Sequence, residues 1–281
     1  MRKVLLVLLM VLVAGGFVFA GGGSEAEEEP MAEEPMAEEP MAEEPEIKNP
    51  DTFIWATIGD ADSLDPSKAY DNASWEIMTN IYEPLIYYDG ESTGEFIPVL
   101  AEEVPSVENG GIVNDGMTYR FKIRDGVSFQ NGNPLTPEDV EYTFERNLVV
   151  DADGGPNWVW YSYLLGMGRS ADVEDFSQID EAIEVDGDYV VFNLPNPFPP
   201  FLATIGTTWG SIIDKEWTIE QGGWPGTADT WKDYNKPAEQ EETLYDIAMG
   251  TGPYSLDRWE KGVEIVLTRN DDYWGERPAL R

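Results

Sequence analysis

Met-Ala-Glu-Glu-Pro occurs three times in tandem, beginning at Met31, Met36 and Met41. A proline at every fifth position removes a backbone donor and fixes φ, so no helix can run through the tract. The glutamate pairs repel one another, and such a segment buries too little apolar surface to offset the entropy of ordering it. The tract predicts an extended spacer over residues 21–49 and sets the start of ordered structure near Thr52. It carries only part of the charge. The chain has a formal charge of −38, and removing residues 1–46 takes out eleven acids and two bases, leaving a body at −29. Such a body has no basic footprint for phosphates, which excludes nucleic acid as a partner. It is also repelled by anionic lipid. Solubility or salt adaptation is the plain reading of the excess acid.

Ahead of the spacer, Arg2-Lys3 is followed by an apolar run from Val4 to Val13 and by Val18-Phe19-Ala20. This is the pattern of a secretory signal over residues 1–20, cleaved before Gly21, and it predicts a periplasmic or extracellular address. The alternative is an uncleaved anchor, because residues 4–20 approach the roughly 17–25 residues that span a bilayer. The chain contains no His and no Cys. That excludes a Ser-His-Asp triad, a Cys-His pair, the usual zinc sites, disulfides and a thioether-linked lipid anchor. No cofactor or metal is expected. The abundant carboxylates leave an oxygen-ligated cation and two-carboxylate glycoside hydrolysis open in principle, but no pair of acids has a supporting motif.

In the body, residues 52–58 read as a strand, broken by Leu64-Asp65-Pro66. Asp71 or Asn72 can cap a helix with the stripe Trp75, Met78, Ile81, Tyr82 and Leu85. Met117, Tyr119, Phe121 and Ile123 alternate with Thr118, Arg120 and Lys122, the period of a sheet with one buried face. Thr136-Pro137-Glu138-Asp139 starts a helix whose inward stripe is Val140, Phe144 and Leu148. Asp186-Gly187 predicts a hairpin turn between residues 183–185 and 189–194, and residues 263–268 form another strand. The elements lack a steady βαβ rhythm, which gives an α/β to α+β class (mixed α+β) with a mixed sheet. Gly166-Met167-Gly168-Arg169-Ser170-Ala171 loosely matches a dinucleotide fingerprint, but it follows an aromatic, helix-like run where the fingerprint needs a strand.

Six blocks, in order, resemble the family 5 extracellular solute-binding proteins that serve ABC importers. They are Ser63-Leu64-Asp65-Pro66, Asn80-Ile81-Tyr82-Glu83-Pro84-Leu85-Ile86, Phe96-Ile97-Pro98-Val99-Leu100-Ala101-Glu102, Tyr119 to Val127, Phe129 to Thr136 with Asp139-Val140, and the pair formed by Gly250-Thr251-Gly252-Pro253-Tyr254 and Arg269-Asn270-Asp271-Asp272-Tyr273-Trp274-Gly275. Gln130 and Asn131 replace the common His-Asp, and Glu102-Glu103-Val104-Pro105 lacks the frequent Ser-Trp. Many relatives carry a lipobox, whereas here Leu12-Val13-Ala14-Gly15 runs into Gly16. The resemblance implies a periplasmic-binding-protein-like fold of two lobes. The first lobe would be discontinuous, with a main part over 50–84 and 206–281 and an attached subdomain over 85–205; the second lobe would lie outside this chain, and ligand affinity would be weak or absent. Tyr273-Trp274 would pack lobe to lobe.

By position, the resemblance places ligand contacts in the loop Tyr70-Asp71-Asn72 and in the aromatic segment after Gly154-Gly155-Pro156. Trp158, Trp160 and Tyr161 would floor the cleft, with Trp209 a further candidate of the same kind. Flat rings cover a peptide backbone or stack on a sugar face without demanding one side chain. A core role for the face shared by Trp160, Tyr163 and Leu164 is equally open. The expected function is non-catalytic capture of an oligopeptide or dipeptide by a monomer that docks on a membrane permease. Oligosaccharide is the alternative ligand, favoured slightly by the ten Trp. A secreted glycoside hydrolase and a surface adhesive protein with an acidic stalk are rivals from other classes.

Overall fold

The computed structural model describes residues 49–238 and 241–281. The signal and all but the last residue of the spacer lie outside the described residues. Among the described residues no helix is long and apolar enough to cross a membrane.

The first helix, α1 (Asn72–Ile81), is capped by Asp71, whose carboxylate accepts from the Ser74 backbone N–H at 2.9 Å and from its hydroxyl at 2.6 Å. It buries Met78 and Ile81 and stops at Tyr82, before Pro84. Two short strands, β1 (Ile86–Tyr88) and β2 (Phe96–Pro98), pair antiparallel. The main sheet comprises β3 (Ile112–Val113), β4 (Thr118–Lys122), β5 (Ile183–Asp186) and β6 (Tyr189–Asn193) in the order β3-β4-β6-β5. Gly187 takes φ 62° in the tight β5–β6 turn, where a Cβ would be strained. Phe121, Val190, Phe192 and Ile183 fill the inward face, while Arg120 and Lys122 face outward and pair with Asp186 and Glu102. Among the described residues every strand pair is antiparallel. The parallel component of the expected mixed sheet is therefore not found there, and the α+β side of the expectation holds.

Helix α2 (Pro137–Val150) crosses this sheet. Its start is a capping box formed by Thr136 and Asp139 with proline in the first turn, as the sequence predicts. Val140, Phe144 and Leu148 are all buried. The Phe144 ring sits edge-to-face on Trp160 and on Phe192, each at 4.9 Å. Trp160 closes the short helix α3 (Trp158–Trp160), which continues as a π-type turn over Tyr161–Leu165. Further short helices are α4 (Ser177–Asp180), α5 (Phe201–Ile205) and α6 (Lys215–Glu220).

Among the described residues one charge pair is buried in the core. Arg146 on α2 donates two hydrogen bonds to Asp65, at 2.8 and 2.6 Å, and a third to the Ser67 hydroxyl at 2.9 Å. Both charged side chains are almost wholly buried. Burial pushes the Asp65 carboxyl up, and the Arg146 charge and hydrogen bonds more than reverse this, holding it below its ordinary value.

The last described elements, β7 (Tyr254–Glu260) and β8 (Glu264–Arg269), form a hairpin with a bulge between Leu256 and Arg258. Asp60 holds its tip, accepting from the Trp259 indole at 3.0 Å and from the Gly262 N–H at 2.6 Å. Its base is locked to the end of α1. A Cβ on Gly250 or Gly252 would lie 2.1 or 2.6 Å from the Ile81 carbonyl, so only glycine fits at either place. Glu83 accepts from Thr251 at 2.8 Å, Tyr273 at 2.6 Å and Trp274 at 2.8 Å. Burial nevertheless lifts its carboxyl above the usual range. Tyr273 and Trp274 thus pack against Glu83 within the described body.

Residues 52–58 depart from expectation. They form no strand and are exposed throughout. Phe53 and Trp55 stack at 6.4 Å, and the Trp55 indole donates to Glu76 at 3.0 Å. The run is apolar on both of its faces, a composition suited to a strand covered on both sides. Among the described residues no strand pairs with it, so β-propensity alone does not make a ladder.

Breaking the buried pair with Asp65→Ala should cost about 3–5 kcal/mol in urea unfolding, because Arg146 is left charged and unpaired. Combining Asp65→Leu with Arg146→Met, which removes both charges, should recover most of that loss. The Asp65 carboxyl lies below its ordinary 3.8 in the folded chain. Its stabilisation is therefore complete above that pH and is lost as pH falls through the folded value. Trp160→Ala should cost about 3–5 kcal/mol, and Trp158→Ala, on a half-exposed ring, about 1 kcal/mol or less.

Candidate functional site

The two candidate loops and Trp209 come from separate stretches of sequence, and the fold brings an aromatic surface out of them. Tyr70 lies 5.4 Å from Trp209 between ring centroids, and Trp75 on α1 completes a triangle at 5.6 Å from Trp209 and 6.2 Å from Tyr70. The rings meet at 47° to 69°, the tilted and edge-on geometries that suit aromatic quadrupoles. The Trp75 indole donates to the Ala69 carbonyl at 3.2 Å and so fixes the loop that carries Tyr70. Trp209 sits on a tight turn over Thr208–Gly210, which closes only because Gly210 lacks a side chain. A Cβ there would meet the Ile205 carbonyl at 2.3 Å. Tyr70 keeps 46% of its surface exposed, enough to meet a ligand.

The segment carrying Trp158 is tied to the same loop from the other side. Asn157 donates to the Ser67 carbonyl at 3.0 Å, and Lys68 donates to the Asp153 carbonyl at 2.7 Å. Gly155 approaches Ser67 so closely that a Cβ would lie 2.3 Å from its carbonyl. Tyr70 and Trp158 therefore leave one shared anchor, and Trp158 is 49% exposed.

Not every candidate reaches the surface. Trp160 and Tyr161 are fully buried. Trp160 packs on Phe144, and the Tyr161 hydroxyl donates to the Leu148 carbonyl. Neither can floor a cleft without leaving the core, so the helical period assigns them to packing. Tyr163 stacks on Phe198 at 3.9 Å. Asp71 is in the right loop, but both of its oxygens are engaged by Ser74 as the α1 cap. Asn72, the first residue of α1, is exposed. The helical period places Trp75 in a buried stripe. It is only partly buried, and its contact with Tyr70 and Trp209 is a tertiary outcome that no helical period contains.

Tyr70, Trp75 and Trp209 form one ring cluster, and Trp158, anchored through Asn157 to the same loop, offers a further half-exposed ring. Asp71, the acid of the Tyr70 loop, is engaged as the α1 cap. Among the described residues no three carboxylates are grouped closely enough to hold a metal ion. The arrangement suits reversible contact with a ligand that has apolar or π-accessible faces.

Residues 95–281 match the middle region of the bacterial extracellular solute-binding proteins, family 5. The dipeptide-binding protein of Escherichia coli K12 is 30% identical over 82% of this chain and 39% of its own length. The oligopeptide-binding protein OppA of Bacillus subtilis is 27% identical over 75% of this chain and 34% of its own. Among solved structures, the periplasmic binding protein DppA of Helicobacter pylori, in complex with the peptide STSA, superimposes with a TM-score of 0.56 at 28% identity. That match covers 78% of this chain and 39% of the other. This chain thus spans 34–39% of the length of these relatives, and its described part has their mixed α/β, periplasmic-binding-protein-like architecture. The ordered blocks, the fold and the family match lead to one assignment: the chain belongs to the bacterial extracellular solute-binding proteins of family 5.

Proposed function

We propose that this chain contributes the first lobe of a receptor that captures short peptides outside the cytoplasm and delivers them to an ABC permease, without covalent chemistry. The observation that carries the reading is the ring cluster of Tyr70, Trp75 and Trp209, with half-exposed faces at Tyr70 and at Trp158 anchored to the same loop, on a chain similar to dipeptide- and oligopeptide-binding proteins. Tilted rings accept a peptide backbone while leaving its side chains largely unspecified. Residues 50–84 and 206–281 would form the main part of the lobe and 85–205 its attached subdomain. Ligand held against a second lobe would shift the population towards a closed form that the permease recognises. The signal-like N-terminus supports a periplasmic or extracellular setting. Oligosaccharide is the second reading, because the exposed Trp158 indole would also stack on a sugar.

The test is tryptophan fluorescence of the chain titrated to millimolar concentrations with di- to tetrapeptides and, separately, with maltotetraose. A saturable response to peptides is expected, weakened about tenfold or more by Tyr70→Ala and by Trp158→Ala, a loss of about 1.4 kcal/mol. A response to the sugar alone would replace the ligand class. Silence towards both, or cleavage of either ligand, would overturn the capture reading.

A further inference from the structure

Asn-Gly occurs twice in the sequence, at Asn109-Gly110 and Asn131-Gly132, and both pairs lie on exposed turns. In such a pair the glycine backbone nitrogen can attack the asparagine Cγ, because no side chain on the glycine shields it. The two turns share one frame. Each asparagine Oδ1 accepts from the backbone N–H two residues on, that of Gly111 and that of Asn133, both at 2.9 Å. This bond folds the carboxamide back along the glycine peptide. Both glycines take positive φ, 73° at Gly110 and 92° at Gly132, with open space where a Cβ would stand. Dipeptide, exposure and turn frame therefore do not tell the two apart.

Their other hydrogen bonds do. The attacking nitrogen is held loosely at one site and firmly at the other. The Gly110 N–H reaches the Val107 carbonyl at 3.3 Å, whereas the Gly132 N–H meets the Phe129 carbonyl at 2.9 Å. The carbon under attack also differs. Asn109 Oδ1 accepts a second backbone N–H, from Ser106 at 2.8 Å, and two donors on that oxygen stabilise the negative charge it gains as the ring closes. The side-chain nitrogens differ as well. That of Asn109 donates to the Val104 carbonyl at 3.0 Å. That of Asn131 donates at 2.7 Å to Asp214, a carboxylate only 1% exposed that also accepts from Asn133 at 2.9 Å. An acid at position 131 would set its charge against the buried Asp214, while an acid at position 109 keeps both backbone donors.

We propose that Asn109 is a site of spontaneous deamidation in the folded protein and that Asn131 is protected from it. The Gly110 nitrogen gives its proton to hydroxide and bonds to Asn109 Cγ. The bond from Cγ to the side-chain nitrogen breaks, and that nitrogen leaves as ammonia with a proton from water. The product is a five-membered cyclic imide. Water then opens the imide at either carbonyl. Opening at Cγ gives aspartate, and opening at the main-chain carbonyl gives isoaspartate, with the backbone running through Cβ. One water is consumed, one ammonia is released, and nothing is oxidised or reduced. Either product places an acceptor oxygen where the Asn109 amide donated to Val104, and isoaspartate also lengthens the main chain. The loop feeds β3, since the Ile112 N–H donates to the Ser106 carbonyl at 2.9 Å. Conversion therefore adds one negative charge and loosens the entry to this edge strand.

The test is incubation of the whole chain at pH 6.5 and 8.5, folded and in urea, followed by peptide mapping with mass spectrometry that separates aspartate from isoaspartate. In the folded chain Asn109 should convert about tenfold or more faster than Asn131, a barrier difference of about 1.4 kcal/mol. Conversion should be faster at pH 8.5, because the Gly110 proton must be lost, and isoaspartate should accompany aspartate. In urea the two rates should converge, because only the fold distinguishes the sites. Asn109→Gln, at an exposed position, should remove the more acidic form that folded protein accumulates on isoelectric focusing. Equal rates in the folded chain, an Asn109 that stays intact while both convert in urea, a difference that persists in urea, or aspartate without isoaspartate would each overturn the proposal.

Discussion

The Asp65–Arg146 pair is the contact on which the rest of the described body depends. Desolvating two charges is expensive, and the cost is offset here only because the guanidinium meets the carboxylate with two bonds and the Ser67 hydroxyl with a third. The pair fixes the loop from Ser63 to Tyr70 against α2. From α2 the remaining core follows: Phe144 against Trp160 and Phe192, and Tyr142 stacked on Trp224 at 5.7 Å while its hydroxyl donates to the Trp224 carbonyl. The same loop turns outward at Tyr70. One buried charge pair therefore sets both the packing of the interior and the position of the ring proposed to meet ligand.

Local chemistry is legible in the sequence wherever a few neighbouring residues decide the outcome. Thr136 to Asp139 specify a capping box, Asp71 a helix cap, Asp186-Gly187 a hairpin turn, and the alternation around Tyr119 and Phe121 a half-buried strand. Long-range outcomes are not legible. Nothing beside Asp65 announces Arg146, 81 residues away. Trp158 and Trp160 belong to one aromatic run, yet one is half exposed and the other buried, because only one side of a helical turn faces Phe144. The strand expected at 52–58 shows the same limit from the other side, since a strand exists only where a second segment supplies its hydrogen bonds.

The C-terminal blocks carry a structural meaning that their letters hide. Gly250 and Gly252 are required because the backbone passes against Ile81, and Thr251, Tyr273 and Trp274 are required because all three satisfy Glu83. Gln130, a departure from the common pattern, spans the same junction by donating to the carbonyls of Ile81, Gly252 and Tyr254. The blocks that identify the family most sharply thus fasten a hairpin to the end of α1.

Residues 52–58 have one further consequence. Their apolar side chains are exposed, and among the described residues Trp55 ties the run to α1 through its bond to Glu76. Such a segment accepts any extended polypeptide of suitable register. How long a newly made copy of this body stays dispersed is then a kinetic matter, a contest between folding of the body and capture of this short run by a chaperone or by another copy.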